Sequence, residues 1–172
     1  MLIELDYLFS KENNTDEKQI PWEVATFSTS VGDFKVAKTT PVQLRLVHTT
    51  KRCIVVDGSV DVSLEMQCDR CLKDLTRDFQ IQFHKEIDCN DAGAEDDYDD
   101  TQYIVDMALD VDKIIRDEIL LQWPAKVLCK EECKGICNVC GHDLNVSDCG
   151  CDRVVLDPRM AAIQDIFNKA NQ

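Results

Sequence analysis

Six cysteines fall between positions 129 and 151, in the order Cys129-x3-Cys133-x3-Cys137-x2-Cys140-x8-Cys149-x-Cys151. Thiolates are soft ligands, so a run this dense points to a soft metal ion. The central unit, Cys137-Asn138-Val139-Cys140-Gly141, has the form of a zinc knuckle. Two thiolates two residues apart grip one ion while the intervening backbone offers N–H groups to the sulfurs. The glycine relieves crowding where the chain turns back. A tetrahedral site needs two more ligands, and Cys129, Cys133, Cys149 and Cys151 are four candidates, so the spacing leaves the quartet open around Cys137 and Cys140. Cys133 is close in sequence. One of Cys149 or Cys151 has to fold back from beyond the Asp143-Leu144-Asn145 turn, beside which His142 is a further donor. The expected cofactor is one structural Zn2+, because a catalytic zinc keeps an open position and usually a His or carboxylate ligand.

Cys68-Asp69-Arg70-Cys71 is a second CxxC. A thioredoxin-like role requires a helix start in a βαβ setting, whereas this pair lies between two strand-like segments. A turn with two buried thiols is the plain reading, and a long-range site shared with Cys137 and Cys140 is the sharper one. Cys53 and Cys89 have no partner at metal spacing and read as ordinary thiols. The opening residues, Met1-Leu2-Ile3-Glu4-Leu5-Asp6, carry acids where a signal peptide carries bases. A cytoplasmic location is expected, and in a reducing cytosol ten cysteines point to metal binding or burial rather than to five disulfides.

The chain of 172 residues holds 33 acids against 19 Lys plus Arg, a formal charge of −14, which argues against coating nucleic acid through bulk charge. Half of that charge sits in the acidic segment 88–100, which has seven acids and no Lys or Arg. It reads as a solvated loop, or more sharply as a nucleic-acid mimic or a docking strip for a basic partner. Its acids do not follow the ligand order of a calcium loop. From Lys35 to Arg52, by contrast, stand Lys35, Lys38, Arg45, Lys51 and Arg52 with no acid, and Arg70 follows nearby. These six are candidate nucleic-acid-binding residues able to track phosphates, weighed against the plainer reading of a solvated strand face. No aromatic stacking series accompanies them. GxGxxG, P-loop, GxSxG and HExxH patterns are all absent, so neither an active site nor a small-molecule substrate is expected. No apolar run approaches the roughly 18 residues of a membrane span.

The elements that must position these residues are mostly strands. Leu2–Leu8 reads as an opening strand, Lys11–Lys18 as a loop, and Gly32 as a turn. Val42, Leu44 and Leu46 alternate against Arg45, and Ile54–Val56 is a short strand before an Asp57-Gly58 turn. Val60–Met66 and Phe79–Phe83 alternate again, and Gln102–Met107 predicts one more strand. Asp110 is a natural N-cap for a helix through Gln122, with Val111, Ile114, Ile115, Ile119 and Leu120 as its apolar stripe and Pro124 as its stop. Asp157-Pro158 opens a terminal helix. The fold class predicted is α+β: an antiparallel sheet or small open barrel with a following helix, a C-terminal Cys-rich zinc-knuckle module and a terminal helix. The predicted domains are 1–124, a β-rich core with the acidic loop 88–100 and helix 110–122, and 125–172, the zinc module.

Cys68-Asp69-Arg70-Cys71-Leu72, Glu118-Ile119-Leu120-Leu121-Gln122-Trp123-Pro124, the segment Cys129 to Asn145 and Asp157-Pro158-Arg159 together resemble the bacterial and plastid YceD family. Asn138 stands where that family's knuckle usually has Pro, and Ile136 where Leu is common; neither change removes a ligand. The resemblance spans about residues 40–170. It implies a non-enzymatic role in ribosome biogenesis, namely accumulation of large-subunit ribosomal RNA. The partner implied is ribosomal RNA or a large-subunit ribosomal protein. The alternative is a zinc-stabilised protein–protein adaptor whose acidic loop docks a basic ribosomal protein.

Overall fold

The computed structural model describes residues 1–10, 14–49, 53–89, 103–152, 166, 167 and 169. Almost all of the acidic segment, Lys51, Arg52 and the start of the expected terminal helix lie outside the described residues. The chain divides into two units: Met1–Met66 with Asp74–Ala125, and Gln67–Lys73 with Lys126–Gln172. Cys68–Cys71, read from the sequence as part of the first domain, falls in the second unit.

The first unit is built from antiparallel strands. β2 (Thr15–Ile20), β5 (Val42–His48), β6 (Cys53–Gln67), β4 (Gly32–Thr39) and β3 (Thr26–Thr29) lie side by side in that order, and β7 (Asp74–Asp88) also pairs with β6. A second sheet of three strands joins β1 (Leu2–Glu4), β9 (Ala108–Asp110) and β8 (Ile104–Val105). Alternation decides which face is buried. Val42, Leu44 and Leu46 of β5, Ile54, Val56, Val60, Val62 and Leu64 of β6, and Phe79, Ile81 and Phe83 of β7 are all buried. Arg45, Gln80, Gln82 and His84 point the other way and are exposed. Over one exposed face lies an open groove of about 730 Å³ lined in part by Glu17, Arg45, Asp57 and His84.

Four local readings are corrected by the fold. Asp57-Gly58 is no turn but the middle of β6, which runs unbroken for 15 residues. A Cβ on Gly58 would sit 2.2 Å from Phe83 Cζ, so the glycine is there to let that ring lie against the strand. The expected loop at Lys11–Lys18 contains the start of β2, whose polar residues fit a strand paired only with β5. Leu2–Leu8 divides into β1 and a short helix, α1 (Asp6–Phe9), which packs against β5. Gln102–Met107 is not one strand. Asp106 and Met107 both take positive φ, and this turn folds β8 back onto β9.

Helix α2 (Val111–Leu121) follows its sequence signals closely. The Asp110 side chain accepts from Lys113 N at 3.4 Å, and Val111, Ile114, Ile115 and Ile119 are buried as α2 packs on β7 and β1. Leu120, placed in the stripe by spacing, is exposed. Just past the helix, the Trp123 ring stacks with Phe27 and Phe79 at 6.1 and 5.8 Å and meets Phe34 edge-on at 4.9 Å.

Candidate metal centre

The second unit joins two stretches of chain far apart in sequence. In the 67–73 turn, Cys68 N donates to Lys73 O and Leu72 N to Cys68 O, both at 2.9 Å, with Leu72 in the left-handed region. That turn is laced to the later segment. Asp69 N donates to Val127 O at 2.8 Å, and Val127 N donates back to Asp69 Oδ2 at 2.7 Å. Ile136 N donates to Arg70 O at 3.1 Å, and Arg70 Nη1 donates to Cys133 O at 2.7 Å. Gly135 makes this approach possible: its φ is +79°, and a Cβ there would lie 2.9 Å from Arg70 O.

Those contacts gather Cys68, Cys71, Cys129 and Cys133 so that all four sulfurs lie within 4.8 Å of one another. Cys68 Sγ is 3.8 Å from Cys133 Sγ, and Cys71 Sγ is 3.6 Å from Cys129 Sγ. A disulfide would require about 2.05 Å. Zn–S bonds of about 2.3 Å would put the sulfurs of a tetrahedron about 3.8 Å apart, so the spacing fits a thiolate cage.

Cys137, Cys140, Cys149 and Cys151 form a second quartet, again within 4.8 Å. Its CxxC loop is shaped by Val139 N donating to Cys137 Sγ at 3.4 Å and Gly141 N to Cys137 O at 2.9 Å. Gly141 and Gly150 take positive φ, turning the chain after Cys140 and between Cys149 and Cys151. Ile136 and Asp143 pair as an antiparallel bridge that brings the far side of the loop back. Asn145 organises that loop: its Oδ1 accepts from Lys134 N at 2.9 Å, and its Nδ2 donates to Asp143 Oδ1 at 2.7 Å.

Four sulfurs this close cannot all ionise without a cation among them. Burial opposes ionisation of Cys68, yet backbone N–H groups of Cys129, Cys71 and Arg70 bring its thiol down to about 6. Cys137 is lowered to about 6 by the backbone N–H groups of Cys140 and Val139. Cys129 is pushed up to about 12, first by desolvation and then by its sulfur neighbours. Cys151 is raised to about 12 by the thiols of Cys140 and Cys149 and by burial. Each quartet thus holds sulfurs poised as thiolates beside sulfurs that keep their protons, a balance that a dication would shift toward four thiolates.

The six clustered cysteines therefore do not compete for one tetrahedron. Cys129 and Cys133 join Cys68 and Cys71, while Cys137 and Cys140 join Cys149 and Cys151. The long-range partners of Cys68 and Cys71 are Cys129 and Cys133, not Cys137 and Cys140. The second CxxC was the available signal. His142 Nε2 meets Ser147 Oγ at 2.8 Å, and His142, Cys53 and Cys89 belong to neither quartet.

Each described basic candidate has an acid or a carbonyl beside it. Lys35 Nζ pairs with Glu65 at 2.9 Å, and Arg45 Nε lies 3.7 Å from Glu17 and opposite Asp57 in register. Lys38 shares a groove with Asp61 and Asp78. Arg70 is spent on the Cys133 carbonyl. The linear sequence hides this because the opposing acids arrive on neighbouring strands. Lys51 and Arg52 are outside the described residues.

Residues 56–167 match the family described as "Large ribosomal RNA subunit accumulation protein YceD". The chain is 25% identical over 123 residues to an uncharacterized protein of Mycobacterium tuberculosis, a match covering 70% of this chain and 59% of that one. It is 27% identical over 123 residues to the uncharacterized protein YlbN of Bacillus subtilis, covering 67% of each. A Zea mays protein described as "Large ribosomal RNA subunit accumulation protein YCED homolog 1, chloroplastic" is 38% identical over 64 residues, 36% of this chain and 22% of that one. The chain spans about three-fifths of the length of the mycobacterial relative it matches. No solved structure matches. Both quartets and helix α2 lie within the matched region, and the chain belongs to the YceD family.

Proposed function

We propose that the chain is a non-enzymatic accessory factor in the accumulation of large-subunit ribosomal RNA, working in the cytoplasm with ribosomal RNA or a large-subunit ribosomal protein as its partner. Family membership and the printed name of the maize relative support the process. The observation that carries the non-enzymatic part is the closed character of the quartets. Four sulfur donors fill a tetrahedron and leave no position for substrate or water, the pattern of a structural zinc knuckle. Zinc is the ion that an all-thiolate tetrahedron without redox chemistry suits best. Among the described residues no helix is long and apolar enough to cross a membrane.

The test is genetic and biochemical. Cells depleted of the protein should lose large-subunit ribosomal RNA relative to small-subunit RNA, with wild type restoring the ratio and Cys137→Ser failing to. An unchanged ratio on depletion overturns the reading.

One observation favours the adaptor reading of the same role. The second unit carries eight acids and eight Lys or Arg, so the whole net charge of −14 belongs to the first unit. Among its described cations, Lys18, Lys35, Arg45 and Lys85 are already paired with acids. Such a unit suits a basic ribosomal protein better than a phosphate backbone. A salt series against a ribosomal RNA fragment and against a basic large-subunit protein separates the two. RNA binding that weakens in Arg45→Ala supports direct contact, and protein binding indifferent to Arg45→Ala supports the adaptor.

A further inference from the structure

The two units are held by different physics. The first has a hydrocarbon core in which Leu5, Ile54, Ile81, Leu109, Ile114 and Ile115 are all essentially inaccessible. In the second, the only buried side chains among the described residues are Cys68, Cys133 and Cys137. Of its described larger apolar residues, Leu72, Val139 and Val146 are each more than half exposed, and Val127, Leu128 and Leu144 are only half-buried. Among its described residues this unit fully buries no aliphatic side chain, so the hydrophobic effect there sets little against the entropy of ordering the chain. Small units of this kind depend on staples, and the structure shows no disulfide to supply one.

We propose that the second unit binds two zinc ions, one in each quartet, and that the ion held by Cys68, Cys71, Cys129 and Cys133 is a clasp without which the 67–73 turn does not join the 126–152 segment. The inference rests on the zinc assignment above and goes beyond it in number and role. The clasp's donors come in two pairs separated by 58 residues at the closest measured contact, so a single ion ties two stretches that no local spacing brings together. The second quartet is local, all four donors falling within 137–151, and stiffens one loop. The hydrogen bonds across the junction, from Asp69 to Val127 and from Arg70 to Cys133, orient the clasp. The peptide bond from Asp69 N nets little against water, and the charge-assisted ones from Arg70 and to the Asp69 carboxylate only somewhat more. Thiolate coordination is what holds the junction closed, and in this unit metal binding and folding are one event.

The experiment uses the full chain, expressed with zinc and purified without chelator, with metal counted by native mass spectrometry and protection followed by amide hydrogen exchange. Two zinc ions per chain are expected. Stripping them should cost peptides from 67–73 and 126–152 at least tenfold in protection while β5 and α2 peptides keep theirs. Cys129→Ser should retain one ion and lose protection in 67–73, Cys129→His should restore two ions, and Cys140→Ser should retain one ion and keep the turn protected. One ion in the wild type, or two ions whose removal leaves 67–73 protected, overturns the clasp and leaves the zinc assignment standing. No zinc at all overturns both. The wild-type stripping measurement decides the matter even where a cysteine variant fails to fold.

Discussion

The side-chain amide of Asn145 donates to Cys133 Sγ at 3.4 Å, so a residue from the loop that closes the second sulfur quartet holds a sulfur of the first. The same residue accepts from Lys134 N and donates to Asp143. Outer contacts of this kind to a coordinating atom orient it and tune metal affinity.

Replacing Asn145 by Ala is therefore expected to weaken metal retention at the first quartet by about 10- to 100-fold without removing a ligand. Competition against a chromophoric chelator measures it. Asn145→Asp keeps an acceptor for Lys134 N but sets a carboxylate against Asp143 and the sulfur, and should weaken retention at least as much as Ala. Equal affinity in wild type and Asn145→Ala would deny this residue any hold on the sulfur.

Gly58 is fixed by Phe83 rather than by backbone conformation. Gly58→Ala should destabilise the first unit by about 1–3 kcal/mol, the usual cost of overpacking. Gly58→Ala combined with Phe83→Leu should recover part of that loss, because the smaller side chain vacates the space. Denaturant melts of the four proteins form the cycle that checks it.

His84 Nδ1 lies 2.6 Å from Asp57 Oδ1, and this hydrogen bond, reinforced by the charges of Asp57 and Glu86, lifts the imidazole above its ordinary range. A raised folded value means the pair stabilises fully below about 6.5, the unfolded reference, and loses its effect as pH climbs through the raised value. Asp57→Asn should bring the His84 titration down in NMR. The stability gap between variant and wild type should then close as the solution is made alkaline. A gap that widens with pH would contradict the assignment.

Trp123 sits among Phe27, Phe34 and Phe79 at the end of α2. Trp123→Ala should cost about 3–5 kcal/mol in the first unit, and Trp123→Phe much less. Circular dichroism melts are the suitable probe, since the substitution removes one of the two tryptophans.

What the sequence displays well is what neighbours in the chain decide. Helix α2 was readable because its cap at Asp110, its isoleucine stripe and its Pro124 stop all act within a few residues. The alternation in β5 and β7 was readable for the same reason. Asp57-Gly58 misleads because the dipeptide serves equally as a turn and as a gap for a ring, and the ring arrives 25 positions later with Phe83. The basic run around Arg45 looked unopposed because Glu17 and Asp57 meet it only through strand pairing. The first quartet was hidden likewise: each of its halves is short of ligands until the other is brought to it.

That division has a consequence for the order of synthesis. The first unit closes once residue 125 has been made, whereas the turn carrying Cys68 and Cys71 waits for Cys129, 58 residues behind Cys71. At ribosomal speeds of roughly 5–20 residues per second that wait lasts roughly 3–12 s. For most of that wait the first unit is itself unfinished, and Cys68 and Cys71 have no sulfur partners until shortly after it closes. On the two-zinc reading proposed above, joining that turn to residues 126–152 follows the closing of the first unit and is set by the metal supply of the cell.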